Sequence, residues 1–415
     1  LHLLSRRGAV YVVPPNPGGG TPGDYSAYGA SETGTTRTVS PGSSIQSVVD
    51  LSASGDIVKL LAGIHQSQVV ELETGVDDNL AIVFEDGAEM VGTTSLVHAI
   101  YGDADNITIR GESDTQHGVI RDYRGFISGT SASPHAGMVH ANGAPVQELQ
   151  ANQGDRWLIR WMDLSGAAGL GVTPGRRTCI AQNNCFGNGL AGIGGGDPLG
   201  GYIHLNNVYG NNPTGLNPHT GGRNGDYNFS PSAQFGLAGR EYANNIFNTA
   251  GMKFGKANFD QATFLAPGNV QQTHPDAETL DVSYNNIYDN DGAGFWPDAD
   301  CHMIDFHHNN VYGNGVGYFN ERAVPVKMNS IGVFFETSGH SGLANNLAIR
   351  LNHVYDHDMD DVSMYPANIF VWNCGNVLID QNLIDVNQLS FSGGHGDVSG
   401  IALRPDTDRE RGMGA

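Results

Sequence analysis

Three short stretches in the second half of the chain end in a carboxylate at the same offset from a glycine: GFWPD at 294–298, GYFNE at 317–321 and GVFFE at 332–336. Asp298 and Glu321 stand 23 residues apart. If that interval is one turn of a wound backbone, turns stacked at strand spacing place equivalent acids about 5 Å apart, and acids two turns apart at roughly twice that. Those separations bracket the carboxylate pairs of retaining and inverting glycoside hydrolysis. Two like charges at the shorter distance also raise one pKa, as a general acid requires. Asp298, Glu321 and Glu336 are therefore the candidate catalytic residues. Trp296 and Phe319 offer flat faces for a sugar ring.

The same region carries imidazoles. In MIDFHHNN at 303–310, strand alternation sends Ile304 and Phe306 inward and Asp305 and His307 outward, where with Asp300 and His302 they can face a ligand. Residues 215–242 break the local pattern and carry Arg223 and Tyr227. A long loop on a rigid scaffold commonly walls a binding groove, so both are substrate-binding candidates. Lyase chemistry would need a cation to neutralise a sugar carboxylate and a base for the C5 proton. Arg240, Lys253, Lys256 and Arg350 are the cations at hand, and no spacing selects among them. YDHDMDD at 355–361 sets carboxylates at alternate positions, which suits Ca²⁺, although the Gly and bidentate Glu of an EF-hand loop are missing. No cofactor is required, and Ca²⁺ is the cation this cluster would take. GIGGGDP at 192–198 lacks the Lys-Ser/Thr of a phosphate loop and reads as a glycine turn.

Composition limits the partners. The chain has 415 residues and a formal charge of −22, which repels nucleic acid and anionic lipid. Its four cysteines are too few for a disulfide scaffold and match no zinc spacing, so they read as buried thiols. No apolar run approaches the roughly 20 residues that span a bilayer. The apolar run after Arg6 and Arg7 stops at Pro14, short for a signal peptide, so export by an ordinary signal is not expected if residue 1 is near the true start.

What must position the candidate residues is a repeat. The phrase NNIYDN at 285–290 returns as NNVYGN at 309–314, and earlier as NNCFGN at 183–188, NNVYGN at 206–211 and NNIFN at 244–248. A period in the low twenties signals a repeat architecture. Each unit holds short β-branched or aromatic runs broken by Asn and Gly, with no stretch of helical length. Three short strands and three turns fill such a unit, one coil of a parallel β-helix. Asn suits the turns because it tolerates the left-handed conformation and because stacked amides can bond from coil to coil. Ser43 or Ser44 can cap a short helix bearing Ile45, Val48, Val49 and Leu51, which would close the first core layer. The expected organisation is an N-terminal segment with a Pro/Gly-rich extended arm over 1–38, an all-β solenoid over 39–404 and a tail over 405–415.

With SIQSVVDLSASGDIVKLLAGIH at 44–65 and the repeated NN-x-aromatic-x-N turns, the chain resembles the right-handed parallel β-helix proteins over residues 40–404. That group includes pectate lyases, polygalacturonases, alginate lyases and epimerases, and phage tailspikes. No catalytic signature of pectate lyase or polygalacturonase type is present. The resemblance implies a protein that meets a polysaccharide or surface glycan. The first expectation is a tailspike- or fibre-like virion protein that binds cell-surface polysaccharide and can degrade it, as a homotrimer attached to tail or capsid proteins. The alternatives are a free, secreted glycoside hydrolase, polysaccharide lyase or epimerase, and a structural or adhesive solenoid without activity.

Overall fold

The computed structural model describes residues 4–6, 9–11, 24–125, 137–142, 153–196, 198–211, 250–255, 257–258, 278–290, 292–298, 301–314, 318–319, 326–327, 331–336, 338, 347–357, 367–372, 374–375, 377–385 and 399–404. Three parallel sheets run the length of the molecule. The first has eleven strands, from Thr36–Val39 to Val377–Asp380. The second has ten, from Gly63–Gln66 to Leu383–Asp385. The third has ten, from Val70–Leu72 to Ser399–Arg404. The chain visits the sheets in rotation, so each circuit stacks on the last as a parallel β-helix; right-handed winding is the sense such crossovers take. Among the described residues no helix is long and apolar enough to cross a membrane.

Strand alternation builds the core. On the first sheet Val58, Ile82, Ile109, Ile159, Ile180 and Ile203 stand in one register column and are all fully buried. Each such side chain contributes about 1.5–3 kcal/mol by leaving water. The N-terminal end of this column is closed by the helix Ile45–Val49, capped by Ser44, with Ile45 and Val49 buried. Leu51, expected on that helix, lies beyond it and is 70% exposed. Residues 24–35 of the arm lie on the outer face of the first sheet. Tyr25 packs on Cys179, Ala181 and Tyr202, Ala30 donates its N–H to Thr108 Oγ1, and Glu32 pairs with Arg110. This part of the arm is therefore a strap on the solenoid, not a free linker. Cys179, Cys185 and Cys301 are buried and Cys374 is half-buried, all as free thiols.

Every letter of the repeated phrase now has a place. Its first Asn forms a buried ladder, Asn183, Asn206, Asn285, Asn309, Asn352 and Asn382. Each Nδ2 donates to the Oδ1 of the next coil at 2.9–3.1 Å. The second Asn points away from the core: the half-buried Asn207 and Asn286 and the buried Asn310 each donate to the Oδ1 of the coil before, beginning at Asn184. Then follow a core residue and an outward ring. Phe186, Tyr209, Tyr288, Tyr312 and Tyr355 stack with centroids 5.0–5.1 Å apart. The last Asn forms a second buried ladder, Asn188, Asn211, Asn290 and Asn314, which ends on His357.

The left-handed turn position differs from expectation. It is held by the residue before each ladder Asn: Gln182, Leu205, Tyr284, His308, Leu351 and Gln381 all have φ between 51° and 57°. Asn does not occupy it because its backbone and amide are committed to the ladder. An L-residue in this conformation costs about 1–2 kcal/mol, offset in a Gly replacement by about 0.4–1 kcal/mol of extra unfolded-state entropy. Leu351→Gly, at a 37% exposed side chain, should therefore stabilise by about 0.5–1 kcal/mol. A denaturation midpoint that falls or stays put would contradict this.

His357 replaces an Asn rung and gives the fold an acid-sensitive point. Burial pushes its pKa down to about 3, and its Nδ1 accepts the N–H of Asn314. The folded chain thus refuses a proton that the unfolded chain accepts at its ordinary value of 6.5. The resulting destabilisation is absent above that value and grows as pH falls through the window between the two. At pH 5, 1.5 units below, it amounts to about 2 kcal/mol. His204, pushed by burial to about 4, acts in the same direction. His357→Asn should leave stability at pH 8 nearly unchanged and raise it at pH 5 by about 2 kcal/mol; parallel pH profiles for the two proteins would refute the assignment.

Candidate active site

Long connections gather at one sheet. The runs 212–249, 259–277 and 315–330 all enter or leave strands of the third sheet. Six successive corners between the first and second sheets, at 182–183, 205–206, 284–285, 308–309, 351–352 and 381–382, are two residues each. The ladder explains the difference: an insertion at those corners would displace a rung, whereas the ends of third-sheet strands carry no such constraint. Third-sheet strands follow a six-residue pattern, AGMKFG, AGFWPD, IGVFFE and ANIFVW, whose third and fifth positions face the core. In three of the four the second position is glycine, held by close approach: a Cβ on Gly294 would stand 2.5 Å from Val311 Cγ1 and 2.6 Å from the Gly332 carbonyl oxygen.

This pattern corrects the pairing of acids. Tyr318–Phe319 pairs antiparallel with Val326–Lys327 in its own two-stranded ribbon and is no part of the third sheet. The strand after Ala293–Asp298 is Ile331–Glu336, with Phe295 beside Val333. Asp298 and Glu336 are thus the last residues of two adjacent third-sheet strands. Had VGYFNE taken that place, Asn320 would have filled the core position held by Phe254, Pro297 and Phe335, burying an amide without a partner strand's help. Glu321 itself lies outside the described residues, as do Asp300, Arg223, Tyr227, Arg240, Lys256 and positions 358–361 of the acidic cluster.

Two outward columns result. One runs Lys253, Trp296, Phe334 and Phe370, all of them buried; the other includes Gly255, Glu336 and Trp372. The Lys253 ammonium sits 3.6 Å over the Trp296 ring, and Phe334 lies 5.0 Å from its other side. Trp296 is 3% exposed. Its faces are thus taken, and it does not serve as an open sugar platform. Its Nε1–H donates to Glu336 Oε2 at 3.0 Å. The half-buried Glu336 and Trp372 are what this face offers to a ligand.

Asp305 and His307 do point outward, but from the first sheet, on a different side of the solenoid. They join a network whose other members sequence reading passed over or left unranked. Arg350 grips Asp305 with two bonds of 2.9 and 2.5 Å. Ser283 Oγ donates to Asp281 at 2.6 Å, and His307 Nε2 lies 3.2 Å from the same carboxylate. Burial alone would raise Asp281, but the bonds from His307 and Ser283 outweigh it and hold the carboxyl below its ordinary value. His204 Nδ1 is 3.2 Å from Ser283 Oγ. Because the one hydroxyl proton goes to Asp281, His204 donates to Ser283, opposite to the direction a Ser-His-Asp triad needs. Tyr25 of the strap covers this corner, 6.1 Å from His204. The signal was available in the strands before each Asn pair, GYIH, LDVS, IDFH and LAIR, whose second and fourth letters all face outward. His302 is wholly buried at the turn before this sheet, its N–H bonded to the Ala257 carbonyl. Among the described residues no group of three His, Cys, Asp or Glu side chains could hold a metal ion.

No family model and no curated protein matches the sequence. Solved structures share the winding at low identity. The Dettilon tailspike protein is 13% identical, with a TM-score of 0.44 over 92% of this chain; the chain spans 58% of that protein's length. The complex of XylC with xylose is 11% identical with a TM-score of 0.48, over 86% of this chain and 72% of that one. The A-module of the Azotobacter vinelandii mannuronan C-5 epimerase AlgE4 is 14% identical with a TM-score of 0.39, over 91% and 99%. At these levels the likeness concerns the fold alone.

Proposed function

We propose that this parallel β-helix binds an extracellular polysaccharide across the outer face of its third sheet and hydrolyses it with Asp298 and Glu336. What supports the reading is the parallel pairing of Ala293–Asp298 with Ile331–Glu336, adjacent third-sheet strands that each end in an acid. Adjacent coils are about 4.7–4.9 Å apart, close to the roughly 5–5.5 Å of a retaining carboxylate pair. Glu336, held in place by the Trp296 N–H, is assigned as the nucleophile and Asp298 as the proton donor. Glu336 attacks the anomeric carbon as the glycosidic bond breaks, and Asp298 protonates the leaving oxygen. Water then releases the glycosyl-enzyme, with Asp298 taking its proton. Trp372, in the same column, lies where a neighbouring sugar would rest. The chain would act either as a tailspike-like virion appendage or as a free enzyme.

The test is incubation with a panel of acidic and neutral polysaccharides. New reducing ends lost in both Glu336→Gln and Asp298→Asn support hydrolysis at this face. Cleavage retained in both variants, or an unsaturated elimination product, defeats it. Light scattering that returns a trimer supports the appendage, and a monomer the free enzyme.

A further inference from the structure

The outer face of the second sheet is not used by the reading above, and it is regular from Asn184 to Tyr355. Over five coils it consists of two columns, the outward Asn ladder continued by His353 and the aromatic stack from Phe186 to Tyr355. Neither column carries an Asp, Glu, Lys or Arg over those coils, in a chain whose formal charge is −22. The rings lie within 14° of parallel, so their faces are consumed in stacking and their edges and hydroxyls point out. The tyrosines stay half-buried, and burial holds the phenols of Tyr209, Tyr288 and Tyr312 above their ordinary value, so each keeps its O–H as a donor.

The face therefore presents a ring every 5.0–5.1 Å along the solenoid axis, with phenols at Tyr209, Tyr288, Tyr312 and Tyr355, the half-buried amides of Asn207 and Asn286 beside the first two, and Asn310 buried. That pitch is close to the length one sugar occupies in an extended β-linked chain. It does not match an extended peptide, which advances about 3.2–3.4 Å per residue. We propose that the second sheet's outer face is a docking track for an uncharged, linear polysaccharide lying along the solenoid axis, one sugar per coil. The track rests on the polysaccharide reading above but uses a separate face. Binding there would be polyvalent, since each added sugar from Tyr209 to Tyr355 meets a phenol at the same spacing. The absence of charge selects a neutral polymer: a polyanion finds no cation in the strip and meets the acidic field of the whole chain.

The experiment uses the full chain carrying Glu336→Gln, so that the probe is not cleaved, and neutral β-1,4-linked gluco- and manno-oligosaccharides from disaccharide to hexasaccharide. Affinity should rise with each sugar to the tetrasaccharide, one sugar per phenol, and level off beyond it. Adding Tyr288→Phe with Tyr312→Phe keeps the stack and deletes two hydroxyls, and should weaken the tetrasaccharide about tenfold, two hydrogen bonds' worth. Affinity that is flat with length, that ignores the tyrosine pair, or that favours uronate oligomers would overturn the track. So would a tyrosine pair that changes only the oligomeric state, the mark of a contact between copies, or no oligomer bound. Cleavage of a polysaccharide by the unmodified chain alongside any of these results would leave the third-sheet function standing and remove only the track.

Discussion

Asn309→Ala should destabilise the protein by about 4 kcal/mol, whereas Asn286→Ala, one residue type and one coil away, should cost about 1 kcal/mol. Asn309 donates to the carbonyls of Val282 and His307 and to Asn352 Oδ1, and its Oδ1 accepts both the backbone N–H and the amide of Asn285. It is wholly buried. Truncation takes the amide from the Val282 carbonyl and leaves the backbone N–H of Asn285 without its partner in the interior, at about 1–3 kcal/mol each before relaxation. Asn286 makes the outer ladder's bonds, to Asn207 and from Asn310, where water can replace them. Urea titrations with unchanged slope would give both numbers. Equal losses for the two variants would mean that the buried ladder is ornament to the fold.

Glu336→Gln should lower kcat by roughly 10²–10⁴-fold, about 3–5 kcal/mol of transition-state stabilisation, with KM little changed. The amide is isosteric, and its oxygen still accepts the Trp296 N–H, so the wall of the site keeps its shape. What it lacks is the negative charge that attacks. Asp298→Asn should fall in the same range on substrates with poor leaving groups, because the lost function is proton donation. Asp281→Asn serves as the contrast: it breaks the first-sheet network and should lower stability while leaving turnover per folded molecule intact. Loss of turnover in that variant alone would move the chemistry to the other side of the solenoid.

The winding was legible because the ladder is written in one residue type at one interval. The NN pairs alone fixed the first- and second-sheet strands on either side of them, and the alternation in MIDFHHNN gave the correct sides for Ile304, Asp305, Phe306 and His307. The third sheet was harder to read, since its strands follow connections of variable length and its pattern is generic. VGYFNE and IGVFFE fit it almost equally. Only the need for an apolar fifth letter separates them, a consequence of core packing that no local spacing displays. The openness of Trp296 was misjudged for a related reason: the two groups that occupy its faces, Lys253 and Phe334, come from neighbouring coils 43 and 38 residues away. His357 was read as part of an acidic cluster, while its position, after the αL residue Asp356, marks it as a rung.

The two-residue corners make length itself a heritable quantity. From Asn183 to Asn382 each coil carries an amide that accepts from below and donates above, so these coils share one joint. A gene segment copied or lost between equivalent codons of two corners would lengthen or shorten the rod by one step and leave every remaining rung matched. Such a molecule can be tuned in reach without redesign of its interior.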